Sequence, residues 1–377
     1  MNIEVRRPIV RPCVAALLLP VATASACFSP SSAPTSGETD DATTGGRSTA
    51  STGDTPASAT ADPSTSSAST TDSAGTQTAT TEPETTTGDD TTPPSIVEIT
   101  PGDGDEGVRS DVVLVVTFDE PMDRVATQAG YQSRDIAAGS VVFSWSADDT
   151  ILTIDPNDDL AYAEGSDRAV VEALAYAFSM TATATDLAGN PLSNPAVVTF
   201  TTLRRITPRL PAVDAMTGDV ALNGTSLGIE VCIGDQYYMA GTDGWVNGGI
   251  TFDISSLPAG IEEFQSATLE GDQVALNGTP YSVLGDLRAE HVVFPTLVEL
   301  WDAVLLEDVG VFSNSPTFGD RSIDVLAQIE ADYAGADGLS QYRLAFEQLS
   351  DGDGAPDYAC FSKAPDALFL ALDYLVP

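Results

Sequence analysis

The chain has 377 residues and a formal net charge of −41, with 56 acidic residues against 15 basic ones. That length suits two ordinary domains and a tail. The charge argues against a nucleic-acid partner, because backbone phosphates would be repelled and Lys363, the only lysine, lies in no basic patch. A surface this rich in Asp and Glu suits solubility, high salt or calcium.

At the N-terminus, Arg6, Arg7 and Arg11 form a positive head and Val14 to Val21 a short apolar core, with Ala24-Ser25-Ala26 directly before Cys27. This is the layout of an export signal over residues 1–26, and the core is too short to span a membrane as a stable helix. The segment resembles a bacterial lipoprotein signal, in which the cysteine is lipidated and becomes the new N-terminus, although Ala24 stands where Leu is usual. Ordinary cleavage after Ala26 is the alternative, since Ala24-Ser25-Ala26 also satisfies the A-x-A rule. Either route carries the mature chain out of the cytoplasm. The first implies a lipid anchor at the outer membrane or cell surface, the second a secreted protein.

From Ser29 to Thr92 the chain is Ser, Thr, Ala, Gly, Pro and acidic residues apart from Arg47 and Gln77, without one aromatic. Such a segment buries too little apolar surface to offset its ordering entropy, so residues 27–94 are expected to be a disordered tether. As a flexible coil it would hold its ends roughly 45 Å apart. Pro93-Pro94 closes it.

Residues 95–203 are expected to form an antiparallel β-sandwich. Val112-Val113-Leu114-Val115-Val116-Thr117-Phe118 is a β-branched run, Thr150 to Ile154 alternates with period two, and Ala196 to Thr201 ends the unit. Turn residues at Pro101-Gly102-Asp103-Gly104, Asp155-Pro156-Asn157-Asp158 and Ala188-Gly189-Asn190-Pro191 separate the strands. Two motifs narrow the reading. Val116-Thr117-Phe118-Asp119-Glu120-Pro121-Met122-Asp123 resembles the signature of SbsA-type bacterial Ig-like domains, and Thr185-Asp186-Leu187-Ala188-Gly189-Asn190-Pro191-Leu192 their closing hairpin. The resemblance implies a spacer or adhesion-type sandwich of cell-surface proteins, with Pro121 and Met122 in turn and edge packing.

Leu203 to Pro211 then links to residues 204–377, where strands are expected at Ile229–Ile233, Gly249–Asp253, Ala267–Glu270, Arg343–Phe346 and Leu368–Leu372. Ser322 to Tyr333 predicts a strand running into a short helix. Gly249-Ile250-Thr251-Phe252-Asp253-Ile254-Ser255-Ser256-Leu257-Pro258-Ala259-Gly260 and Ser266-Ala267-Thr268-Leu269 resemble the core of DNRLRE-type jelly rolls. That kinship implies a second β-sandwich, some members of which bind carbohydrate. The expected class is therefore all-β: an Ig-like sandwich followed by a jelly-roll-like sandwich with a short helix.

Within the exported part, Cys232 and Cys360 are expected to pair in an oxidising compartment, two free buried thiols being the alternative. Ser350-Asp351-Gly352-Asp353-Gly354-Ala355-Pro356-Asp357 resembles part of a D-x-D-G-x-x-D calcium loop, so Asp351, Asp353 and Asp357 are the expected oxygen ligands of calcium. Leu349 stands where another acid would sit and no bidentate Glu follows, and a solvated Asp-Gly turn is the alternative. Tyr237, Tyr238 and Trp245 are the aromatics placed to stack on sugar rings, against the alternative of edge packing. Gly224-Thr225-Ser226-Leu227-Gly228 matches the G-x-S-x-G pattern, and Ser226, Asp286 and His291 occur in a triad order. That motif needs a strand turning sharply into a helix; here it follows Asn223 and leads into a strand. Two Asn-Gly turns, at Asn223-Gly224 and Asn277-Gly278, account for this tract and its repeat without catalysis. The lone His291 is expected to be packed and hydrogen-bonded.

The function expected from these residues is a non-catalytic envelope lipoprotein, an Ig-like spacer presenting a binding or adhesion module with a polysaccharide or a surface protein as partner; a hydrolase or polysaccharide-acting enzyme, or a purely structural envelope protein, is the alternative. Cys27→Ala is expected to release the mature protein from membranes, read by fractionation of cells expressing each form. Equal partitioning of the two forms would remove the lipid anchor.

Overall fold

A computed structural model describes residues 90–226, 230–235, 244–336 and 338–377. The signal, Cys27 and the tether to residue 89 fall outside the described residues, as do Tyr237 and Tyr238.

The first unit contains β1 (Ile96–Thr100), β2 (Asp105–Val108), β3 (Leu114–Phe118), helix α1 (Arg124–Gly130), β4 (Tyr131–Ser133), β5 (Val142–Trp145), β6 (Ile151–Asp155), β7 (Ala163–Gly165), β8 (Ala175–Met180) and β9 (Ala196–Thr202). Two four-stranded sheets, ordered β1-β3-β6-β5 and β2-β9-β8-β4, enclose one core. Period two in the sequence becomes facing in the sheet: Leu114, Val116 and Phe118 of β3 are buried, as are Tyr176, Phe178 and Met180 of β8. A one-residue slip would turn each of these sets to solvent, so the register is strongly specified.

The two motifs of this unit meet in space. Met122 bridges Asp186, and the Asp123 amide donates to the Thr185 carbonyl at 2.9 Å. Asp123 also caps α1, its Oδ1 accepting from the Val125 and Ala126 amides at 2.9 Å each. Met122 is fully buried, so it is a core residue rather than the edge packing expected for it.

The second unit contains β10 (Arg204–Ile206), β11 (Arg209–Pro211), β12 (Gly218–Ala221), β13 (Val231–Asp235), β14 (Val246–Asp253), β15 (Glu263–Asn277), helix α2 (Pro280–Val283), β16 (Leu287–Val293), β17 (Val304–Ser313), β18 (Gly319–Asp324), helix α3 (Leu326–Gly335), β19 (Leu339–Phe346), β20 (Asp357–Phe361) and β21 (Leu368–Val376). The strand running into a short helix is present as β18 and α3. One sheet follows the path β17-β16-β19-β14-β13-β20-β15-β21-β10-β7, with β12, β18 and β11 attached to β14, β15 and β21. The path folds over itself. Phe312 of β17 and Phe361 of β20, five strands apart along it, pack with ring centroids 5.3 Å apart. Both belong to a core that also takes residues from β14, β15, β19 and β21. A smaller cluster of Val220, Val292, Phe294, Leu297 and Leu300 lies apart from it.

The expected linker, Leu203 to Pro211, is itself strand. β10 pairs antiparallel with β21 and parallel with β7, so one three-residue strand belongs to the ladders of both units. Around it, Arg205 donates to Asp373 through Nε and Nη2 and to Glu164 at 3.3 Å, while Arg109 reaches Glu263 at 2.7 Å. The described residues fall in one compact unit.

Cys232 and Cys360 form a disulfide and sit opposite one another in the β13–β20 ladder, with Cα atoms 4.0 Å apart. The bridge closes a sequence separation of 128 residues; in the chain-entropy account a loop of this size contributes about 5 kcal/mol. Thiol labelling of the denatured, unreduced protein is therefore expected to find neither cysteine, and prior reduction to lower the denaturation midpoint. Complete labelling without reductant would show the thiols free.

Candidate metal centre

Three residues beyond the disulfide, the same ladder sets Asp235, the last residue of β13, opposite Asp357, the first of β20. Gly234 makes this approach possible. Its φ is +142°, and a Cβ there would come within 2.7 Å of the Tyr358 Cα and collide with the Asp357 carbonyl. Gly278 serves Asp357 from the other side, since a Cβ at that position would collide with the Asp357 carboxylate. The Thr279 amide then donates to Asp357 Oδ1 at 2.5 Å. Asp357 is buried, and these two glycines leave room for its side chain.

The acidic loop precedes β20. Gly352 (φ +79°) and Gly354 (φ +77°) supply left-handed positions that turn it tightly. The Gly352 amide donates to Ser350 Oγ at 3.0 Å, Asp353 to Asp351 Oδ1 at 3.0 Å, and Ala355 to Asp353 Oδ1 at 2.6 Å. Carboxylate oxygens of Asp351, Asp353 and Asp357 all lie within 4.8 Å of one another. Oxygens bound to one calcium at about 2.3–2.6 Å are separated by no more than about 5 Å, so the spacing suits that ion. Asp351 and Asp353 are exposed, giving the loop an open side.

The fourth carboxylate was not legible in the sequence. Asp235 is 0% exposed; its Oδ1 accepts from the Asp357 amide at 3.1 Å, and its Oδ2 is buried without a hydrogen-bond partner. Burial pushes the Asp235 carboxyl up from its ordinary range. The Ser350 hydroxyl and the Asp357 amide oppose that rise, and the charges of Asp357 and Asp351 add to it. More than a hundred residues separate Asp235 from the loop, and only the strand register joins them.

The remaining candidates lie elsewhere. Trp245 is half-buried just before β14, where its carbonyl accepts from the Leu222 amide at 3.0 Å. His291 is buried, with Nε2 3.0 Å from Asp332 Oδ2 and its ring tilted on Tyr342. Its carboxylate partner is thus Asp332 and not Asp286, whose amide faces Glu347. Ser226 follows a tight turn in which the Ala221 amide reaches the Thr225 carbonyl at 2.9 Å, and it bridges Val220. The chain resumes beyond it as strand β13, so the strand-to-helix corner of a nucleophile elbow is not built there.

Two further features come from residues distant in sequence. Asp90, Glu120 and Asp186 bring oxygens within 4.8 Å in the first unit. There Asp186 is already satisfied by the Asn190 side chain and by the Ala188 and Asn190 amides. An open cleft of about 710 Å³ lies between the units, lined by Arg168 and Arg204 with Ser256, Leu257, Pro258 and Tyr374.

Residues 90–202 match the family model described as a bacterial Ig-like domain. No curated protein matches the chain. Among solved structures, an L,D-transpeptidase from Mycobacterium smegmatis aligns at 12% identity and a TM-score of 0.22, over 60% of this chain and 79% of that one. The N-terminal part of the bacterial S-layer protein SbsC aligns at 12% identity and 0.20, over 42% of this chain and 40% of that one. At these scores neither likeness carries an argument about this chain.

Asp235 also makes a prediction about pH. Its folded pKa is raised, so the stability this group confers is fully present below its unfolded pKa of about 3.9 and is lost as pH rises through the folded value. In chelator at pH 7, Asp235→Asn is therefore expected to melt above wild type, and near pH 3.5 the gap should close. An equal gap in melting temperature at both pH values would show that the carboxyl is not strained by burial.

Proposed function

We propose that the protein is a non-catalytic cell-envelope lipoprotein in which the Ig-like unit is a spacer presenting the C-terminal β-sandwich as a binding or adhesion module. The Ig-like family match at residues 90–202, directly after the Ser/Thr-rich tether, carries this reading. The shared strand β10 supports it, because a spacer is useful only if its cargo does not swing freely, and two ladders grip this connection. The lipid anchor at Cys27 would fix the chain to the outer membrane or cell surface, with the tether setting its reach.

The ligand class we infer for the module is polysaccharide. The cleft between the units offers what a sugar needs: hydroxyl and guanidinium donors from Ser256 and Arg168 beside the apolar faces of Leu257 and Pro258. Trp245 offers a second place for stacking. No basic patch supports nucleic acid as an alternative partner.

The test is a glycan array and polysaccharide co-sedimentation with the mature chain, run alongside ester and polysaccharide turnover assays. Retention on a polysaccharide without product release is expected, with Arg168→Ala reducing retention several-fold. Release of products would make the protein an enzyme. Failure to bind any glycan while still adhering to whole cells would make its partner a surface protein.

A further inference from the structure

The acidic loop alone would be an ordinary solvated turn. What changes its meaning is the carboxylate behind it. Asp235 comes from a different strand and is withdrawn completely from water, and its Oδ2 makes no hydrogen bond of normal geometry, the Ser350 hydroxyl being the side-chain donor beside the carboxylate. Buried polar atoms in folded proteins are nearly always satisfied, and a buried carboxylate without compensation is among the costlier exceptions. The groups around it make matters worse. Asp357 lies opposite it in the ladder, and the charges of Asp357 and Asp351 both bear on it. A cation or a proton must relieve such an arrangement.

We propose that Asp351, Asp353 and Asp357, whose oxygens converge, bind one calcium ion, with the buried Asp235 behind them turning its Oδ2 to the ion or to a water it holds. The donor set is all hard oxygen, which suits calcium or magnesium and not zinc; the chain's single histidine is engaged with Asp332 and its two strand cysteines are joined to each other. Calcium fits better than magnesium. The ligands come from an Asp-Gly turn and a strand end, which form an irregular shell and not a rigid octahedron. The open side at Asp351 and Asp353 gives the ion an entry path and room for water ligands. Asp235 and Asp357 then supply the buried floor, and the disulfide three residues away holds their two strands in register. On this account, calcium ties the acidic loop to the ends of β13 and β20. It stands independently of the surface function proposed above, since it concerns the stability and order of the module whatever it binds.

The experiment uses the mature chain stripped with EDTA, melted with and without calcium chloride or magnesium chloride, with calcium affinity measured by titration calorimetry. Wild type is expected to gain several degrees in calcium and less in magnesium, because a ligand that binds only the folded state raises its stability. Asp235→Asn and Asp353→Asn should each weaken calcium at least tenfold, while Glu98→Gln, exposed on β1 of the first unit, should leave the affinity unchanged. Asp235→Ser, which shortens the side chain without adding bulk, serves where the Asn variant does not fold. Equal calcium shifts in all variants would mean only general screening of an acidic surface and would overturn the site. A loss in Asp353→Asn with full affinity in both Asp235 variants would overturn the role of the buried carboxylate.

Discussion

The antiparallel ladder between β13 and β20 is the constraint on which the candidate site depends. It places Cys232 on Cys360, and three residues further along it places Asp235 on Asp357. Two side chains that repel each other are thus held together by backbone hydrogen bonds and a covalent bridge. Gly234 permits the close approach at the end of the pair, where any side chain would strike the opposite strand. Strands with both faces covered surround this ladder, so relaxation by splaying would open the core. The result is a rigid pair of buried acids beneath an exposed acidic turn. Rigidity of this kind is what separates a cation site from a cluster of surface charges.

A second constraint links this site to the rest of the molecule. β10 is only three residues long, yet it lies between β7 of the Ig-like unit and β21 of the C-terminal one. Arg205 pairs with an acid from each side of the junction, Glu164 and Asp373. These are partly exposed ion pairs and contribute little stability by themselves. Their value lies in geometry, since they leave the short connection few ways to pivot. The spacer role proposed above would use that joint to hold its module in one orientation.

Much of the Ig-like unit was legible in its sequence because its strands alternate. The period-two pattern of β6 marks an inward and an outward face, and turn residues mark the strand ends. The C-terminal unit was harder to read for a physical reason. β13, β14 and β21 are buried along nearly their whole length, so they show no alternation and their ends blur; β14 starts three residues before, and β21 ends four residues after, the bounds expected from apolar runs. β15 is longer still, from Glu263 to Asn277, because its first part pairs with β21 and its last part with β20. Asp351, Asp353 and Asp357 could be found from local spacing. Asp235 could not, since nothing local distinguishes it from a surface acid, and only the strand pairing brings it to the loop. Arg204 to Ile206 read as a linker for the same reason: a three-residue strand shared by two ladders has no pattern of its own.

The most direct test of this account is a crystal structure of the mature chain grown in calcium, with anomalous data to identify the ion. The account predicts one calcium bound by Asp351, Asp353 and Asp357, with Asp235 Oδ2 turned to the ion or to a water it holds. A well-ordered acidic loop without an ion, and Asp235 hydrogen-bonded as a neutral acid to Ser350, would contradict it.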